Sequence, residues 1–320
     1  MITEAQWEAI TLERLAENDW QHVPGKDLPP SALTGRASWG DLVLTSRTLD
    51  AMRRLNPLVP TQYLEQALAE IVAPKSQDAL AENYRLHEIL VKGYRGITFT
   101  DASGVEHNPT IHLIGPRVDD NDRLAVSQLT IRSREVERRF DVVLYLNGLP
   151  VVFVELKRAA AQAAGLASAH AQLNTYLREF PMAFRFAVLT IISDGITARY
   201  GTPFTPLNHY APWNVDDDGR RASLTSDPDN LNLGVELEYL IDGVCNPERF
   251  LQLQRNFVAF DAGGDGFVKR IAKPHQYFAV TKAVGATVTA AETNGKAGVV
   301  WHTQGSGKSM EMELYANLVL

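Results

Sequence analysis

The sequence predicts an α/β protein in which a mixed sheet is flanked by helices and followed by the beginning of a phosphate-loop domain. Three observations carry this reading. The first hundred residues repeat apolar side chains at helical spacing, and from about residue 98 short β-rich runs take over around one Ala-rich helical stretch. Near the C-terminus a strand pattern runs into a glycine-rich turn and a helix.

Residues 3–15 read as a helix because Trp7, Ile10, Leu12 and Leu15 recur at roughly helical spacing, and Thr3 with Gln6 resembles a capping box. Further helices are predicted over 46–55, 61–71 and 77–92, with Gly93 as a stop. Strands are predicted over 110–114, 124–131, 140–146, 151–156 and 187–193. The Ala-rich run 159–177 reads as a helix despite Gly165, so the order is β-β-β-β-α-β. Residues 202–230 hold four prolines and the acidic run Asp216 to Asp218, which predicts a surface excursion with a solvated turn and not a metal site. Residues 231–240 read as a helix or a strand pair, followed by a helix from His275, a strand over 298–301 and a helix over 307–320. A boundary near residue 246 divides the chain into domains 1–245 and 246–320.

The 320 residues are 45% hydrophobic and 22% charged, which excludes a disordered tail, a collagen-like repeat and a small disulfide scaffold. A lone cysteine, Cys245, forms neither an intramolecular disulfide nor a cysteine metal site and fits a reducing cytosol. Glu4 and Glu8 in the first turns do not suit a signal peptide. The apolar stretch 184–192 is interrupted by Arg185 and is shorter than the roughly 20 residues of a membrane-spanning helix. A soluble, cytoplasmic protein without a membrane partner is expected. The net charge of −7 argues against non-specific coating of nucleic acid, yet Arg132, Arg134, Arg138, Arg139 and Arg158 form a local basic track. Glu135 and Glu137 interleave with it, so a mixed, solvated strand is the plain alternative.

The chemistry concentrates in residues 139–158. Two strands flank Asn147-Gly148, a strong hairpin signal, and Asp141, Glu155 and Lys157 occupy strand positions where an unpartnered charge is costly. Glu155 and Lys157 share a face by alternation. With a two-residue loop Asp141 opposes Val154 and points to the other face. With an odd-length loop, or an equivalent bulge, it lies diagonal to Glu155 at about 7–8 Å, a span that a metal ion can bridge. Two carboxylates and a lysine on one face suit a Mg²⁺-dependent phosphodiesterase, in which Asp141 and Glu155 ligate the metal and Lys157 orients water or stabilises charge. The plain alternative is a salt-bridged sheet face.

A second constellation follows Val299-Val300-Trp301: His302-Thr303-Gln304-Gly305-Ser306-Gly307-Lys308-Ser309. The amides of Gly305, Ser306 and Gly307 would cradle phosphates, Lys308 would neutralise them, and the Ser309 hydroxyl would ligate Mg²⁺. His302 stands where the motif usually has glycine.

The Asp141, Glu155-Leu156-Lys157 arrangement resembles the core of the PD-(D/E)xK nuclease family, and Gln172 with Tyr176, one helical turn apart, resembles the accessory motif of its RecB-like branch. The glycine loop and the upstream Lys273-Pro274-His275-Gln276-Tyr277 resemble the phosphate loop and glutamine motif of superfamily 2 helicases, with Gln276 implied as an adenine contact. Joined in one chain, and with Asn147-Gly148-Leu149-Pro150 and Trp301-His302-Thr303, they resemble the restriction (R, or HsdR) subunit of type I restriction–modification enzymes over nearly the whole length. The resemblance implies a PD-(D/E)xK nuclease core followed by the start of a RecA-like domain. It further implies cleavage of double-stranded DNA after ATP-driven translocation, with Mg²⁺ and ATP as cofactors and modification and specificity subunits as partners. It also implies that Glu8 approaches the metal site, although a helix-surface carboxylate is the simpler reading.

A Walker B acidic pair, a second RecA-like domain and an arginine finger are not found in these residues, so a truncated motor unable to translocate is expected. The alternatives are a helicase–nuclease of DNA repair or phage defence without methylation partners, and an inactive module whose carboxylates form ion pairs.

Overall fold

The helices of the first hundred residues form where apolar periodicity places them. In the computed structural model, which describes residues 2–158, 164–224, 234–263, 266–293 and 295–320, α1 (Glu4–Glu17) starts at a Thr3–Gln6 capping box. The edge strand β1 (Gln21–Pro24) precedes α2 (Thr45–Leu55), α3 (Thr61–Val72) and α4 (Ala79–Lys92), which ends at Gly93. Short strands β2 (Phe99–Thr100) and β3 (Glu106–His107) pair with each other. Then come β4 (Arg123–Arg132), β5 (Glu137–Leu146), β6 (Leu149–Leu156), α5 (Ala164–Glu179), β7 (Leu189–Ser193) and β8 (Ala198–Gly201). The remainder comprises α6 (Glu236–Val244), α7 (Pro247–Asn256), a hairpin of β9 (Val258–Gly263) and β10 (Gly266–Ile271), α8 (Pro274–Glu292) and α9 (Lys308–Val319).

The six-stranded sheet has the order β1-β4-β5-β6-β7-β8. The β1–β4 and β6–β7 pairs are parallel and the others antiparallel, so the sheet is mixed. Its central strands are nearly continuous apolar runs because both faces are covered. On one face Val142, Val152, Val154 and Leu156 pack with Trp7 and Leu15 of α1. On the other, Phe140 and Phe153 pack with Leu173 and Tyr176 of α5 and with Phe184.

Several expected elements differ. Residues 110–114 form no strand; Ile111 makes one isolated bridge to Tyr94. Strands β1 and β8 and the β9–β10 hairpin were not anticipated, since β1 is four residues long, ends in proline and owes its existence to parallel pairing with the distant β4. Residues 298–301 form no strand, and Val299 and Trp301 are 95% and 84% exposed. An extended segment becomes a strand only by pairing, and no described strand lies beside this one. Residues 236–240 belong to α6, while 231–233 lie outside the described residues, as do 159–163 of the expected helix and 225–230 of the excursion. Asp216 closes a turn by accepting from the Asp218 and Arg220 amides at 3.0 and 2.8 Å. Among the described residues no helix is long and apolar enough to cross a membrane.

Helix α7 and the β9–β10 hairpin lie against earlier elements. Lys269 of β10 is buried and donates to the Asn83 side chain of α4 at 2.8 Å and to the Ala187 carbonyl at 2.7 Å.

The β5–β6 turn is tightly specified. Gly148 has φ +78°, and a Cβ there would lie 2.5 Å from the Leu44 carbonyl oxygen, on a segment that the Leu44 N–H ties to the turn by donating to the Gly148 carbonyl at 2.9 Å. Gly148→Ala should therefore lower stability by about 2–4 kcal/mol. Unchanged thermal melting of that variant would show that the turn does not fix the hairpin.

Candidate active site

The hairpin carrying the three charges closes with the two-residue turn Asn147-Gly148, whose φ values of +52° and +78° match the twist of the flanking strands. Such a turn alone would send Asp141 to the wrong face. The register, however, steps from Leu144↔Val152 to Tyr145↔Pro150, leaving Val151 as an extra residue. Beyond the bulge Val142 pairs with Val154, the last pair of this ladder, and the next position brings Asp141 across from Glu155, where the two carboxyls are close enough to interact. The carboxylates are thus brought together by a bulge and an even loop, the bulge doing what an odd-length loop would have done.

Asp141 accepts from the Leu156 amide at 2.8 Å through Oδ2. Glu155 is fully buried; its Oε1 accepts from Lys157 Nζ at 2.5 Å and its Oε2 has no partner. Lys157 also donates to the Leu156 carbonyl at 3.0 Å and lies 3.6 Å from the Glu4 carboxylate of α1. Burial, followed by the neighbouring Asp141 charge, pushes the Glu155 carboxyl up to about 8 despite the Lys157 ammonium. Burial likewise raises Asp141, against its bond from the Leu156 amide.

Helix α5 adds Gln172 and Tyr176. The Gln172 amide donates to the Tyr176 hydroxyl, which donates to the Arg139 carbonyl at 3.2 Å. The Tyr176 ring packs edge-on to Phe140 at 4.9 Å, fixing α5 beside the strand that carries Asp141. Burial and then the Glu155 charge raise the phenol to about 12, so it stays protonated.

In this cluster Asp141 and Glu155 are the two carboxylates that could hold a metal. Among the described residues no group of three or more His, Cys, Asp or Glu side chains converges as a ligand set. Two carboxylates suit Mg²⁺, which keeps several waters, and the unpartnered Glu155 Oε2 is an acceptor awaiting a cation or a proton. Glu8 of α1 is half-buried, accepts from the Gln128 side chain and is raised by burial, with the Asp141 charge contributing in the same direction. Reasoning from sequence did not single out Gln128 or Glu4. The i, i+4 spacing of Glu4 and Glu8 was a usable signal; nothing in the residues around Gln128 announced it. Of the arginines, Arg132 pairs with Glu137, and Arg138 forms a two-pronged pair with Glu179.

The glycine loop is a separate constellation. Gly305 and Gly307 have φ of +83° and +88°, and Ser309 lies exposed in the first turn of α9. Lys308 Nζ folds onto the His302 and Thr303 carbonyls at 3.1 and 2.8 Å, and His302 binds Glu311 at 2.8 Å. Gln276 is buried, accepting from the Lys273 amide at 2.8 Å and donating to the Ser306 carbonyl at 3.2 Å. The structure therefore brings Gln276 to the loop, with both ends of its amide on backbone. The Ser306 hydroxyl is buried without a partner.

Comparison with known proteins covers both constellations. Residues 1–209 match the family model of the type I restriction enzyme R protein N terminus, and residues 275–320 match the model of the SWI2/SNF2 ATPase. The chain is 34% identical, over its full length, to the type I restriction enzyme HindI endonuclease subunit of Haemophilus influenzae, of which it covers 30%. It is 24% identical over 98% of its length to the putative type I restriction enzyme MjaIXP endonuclease subunit of Methanocaldococcus jannaschii, covering 31% of that protein. A Staphylococcus aureus relative, the SauCOLORF180P endonuclease subunit, is 28% identical over 54% of the chain and 17% of its own length. The chain thus spans less than a third of the curated relatives it matches. With the family model matched across the sheet, the hairpin and the accessory helix, the chain belongs to the type I restriction enzyme R protein N-terminal family.

Proposed function

We propose that this chain carries the Mg²⁺-dependent nuclease site of the restriction subunit of an ATP-dependent type I restriction enzyme, cutting double-stranded DNA in the cytoplasm in complex with modification and specificity subunits. The observation that carries the reading is the meeting of Asp141, Glu155 and Lys157 on one face, with Glu155 Oε2 buried and unpartnered.

Asp141 and Glu155 would hold Mg²⁺, which when bound lowers the pKa of water and offsets charge on the phosphate. Lys157, fixed by Glu155, holds a proton and a positive charge beside that position and so favours the charge that develops during attack. Tyr176 and Gln172 set the wall formed by α5, where a DNA backbone would pass. Arg134 and Arg139 would add positive charge for a DNA backbone.

The phosphate loop supports an ATP site of the same protein. Gly305, Ser306, Gly307 and Lys308 would surround the phosphates, Ser309 would meet Mg²⁺, and Gln276 would link the adenine side to the loop. For Lys308 this requires release from the two loop carbonyls it now contacts. The PD-(D/E)xK nuclease portion is proposed to include α7 and the β9–β10 hairpin, which Lys269 ties to α4, in addition to the expected residues 1–245. The RecA-like motor portion would begin with α8.

In the complete restriction complex, Lys157→Ala should reduce DNA cleavage by about 100-fold or more while leaving ATP hydrolysis intact. Cleavage at the wild-type rate would remove the site assignment.

Proton bookkeeping gives a second expectation. Between the ordinary carboxyl value of 4.5 and about 8, metal-free folded protein keeps a proton on Glu155 that the unfolded chain has lost. This contribution to stability is complete below about 4.5 and declines as pH rises to about 8, by up to about 1.4 kcal/mol per pH unit. The stability gap between wild type and Glu155→Gln should therefore change with that slope in metal-free buffer. Mg²⁺ affinity should climb over the same window, because binding expels the proton. A pH-independent gap, measured by denaturant titration, would contradict the assignment.

A further inference from the structure

Gln128 stands in the middle of β4 with φ +54°, a left-handed conformation that a non-glycine residue in a strand holds only when its surroundings compel it. The ladder to β5 is intact on either side, Ser127 opposite Val142 and Leu129 opposite Phe140, so the break falls where Gln128 faces Asp141. Side-chain parity changes there. Leu124 and Val126 enter the same core as Leu129 and Ile131, which regular alternation across one intervening pair would not allow. The left-handed residue absorbs the odd position and frees its side chain from the sheet.

The surroundings are built around this break. Strand β1 ends its pairing at Pro24 opposite Ser127, and the next residue, Gly25, rests on the broken backbone. A Cβ on Gly25 would lie 2.7 Å from the Gln128 carbonyl oxygen and 2.7 Å from Leu129 Cα. The freed Gln128 amide donates to the Glu8 carboxylate of α1. The same helix sends Glu4 toward Lys157, so two acids one turn apart face the charged cluster.

We infer that Gln128 is a positioning residue for the cleavage reaction, a left-handed break in β4 whose amide holds Glu8 of α1 beside Asp141. Its effect on metal binding is exerted through Glu8, and the backbone conformation is what delivers the amide to the α1 side. The inference rests on the nuclease reading above and names a residue on a strand that carries none of its charged groups.

Calorimetric Mg²⁺ titration of the 320-residue chain tests it, with thermal melting on the same samples. Gln128→Ala, Gln128→Gly and Glu8→Ala should each weaken Mg²⁺ binding by about 10-fold, and Gln128→Ala should add nothing in the Glu8→Ala background. Gln128→Gly should melt about 1–2 °C above Gln128→Ala, because glycine accepts the left-handed backbone, while binding Mg²⁺ no better. A residue important only for folding would link affinity to melting temperature. Wild-type affinity in both Gln128 variants, or additive losses with Glu8→Ala, overturns the inference. Glu155→Ala separates the two levels. If it abolishes the Mg²⁺ heat while the Gln128 variants keep it, this inference alone falls; if wild type gives no heat or Glu155→Ala retains it, the nuclease reading falls and takes the inference with it.

Discussion

A hairpin has a parity, and the whole site hangs on it. An even turn at Asn147-Gly148 and a strict period of two would place Asp141 behind the sheet from Glu155. The extra residue Val151 reverses the parity between the turn and the site, so that both the favoured turn and the convergent carboxylates are kept. The bulge is held from outside the hairpin, since the Val151 carbonyl accepts from the Val188 amide at 2.7 Å. Strand β4 contains a second parity change at Gln128, directly across from Asp141. Two irregularities in neighbouring strands thus frame one aspartate.

Those devices have an energetic counterpart. Glu155 lies in an interior that opposes its charge, and its single ammonium partner leaves one oxygen unsatisfied. The surrounding sheet supplies the rigidity such a group demands. Trp7 anchors α1 on one face, and Tyr176 anchors α5 on the other, so that acids and amides from both helices reach the same end of the hairpin.

The glycine loop of residues 302–309 shows the converse situation. Its residues are local and legible, but residues 298–301, expected as the strand before it, have no paired neighbour among the described residues, and Val299 and Trp301 lie open to solvent. The loop is held instead by the Gln276 amide and by Lys308 bonded to its own carbonyls. A glycine motif can be legible in sequence while a supporting sheet is absent from the described residues.

The sequence by itself determined the elements whose signals are local: the capping box of α1, the amphipathic helices, the apolar strands, the Asn-Gly turn, the three charges and the glycine loop. It also determined the family, through strings that need no folding to be compared. Tertiary structure decided what depends on distant partners. Strand β1 exists through β4, residues 110–114 and 298–301 lack the pairing that would make them strands, and Gln276 is occupied by a loop thirty residues away. The faces of Asp141, Glu155 and Gln128 belong to this second group. A bulge and a left-handed residue are held by long-range packing, through Val188 and Gly25; the skipped step in apolar alternation between Val126 and Leu129 is visible in β4, but the residue that absorbs it and the place of the β6 bulge are not.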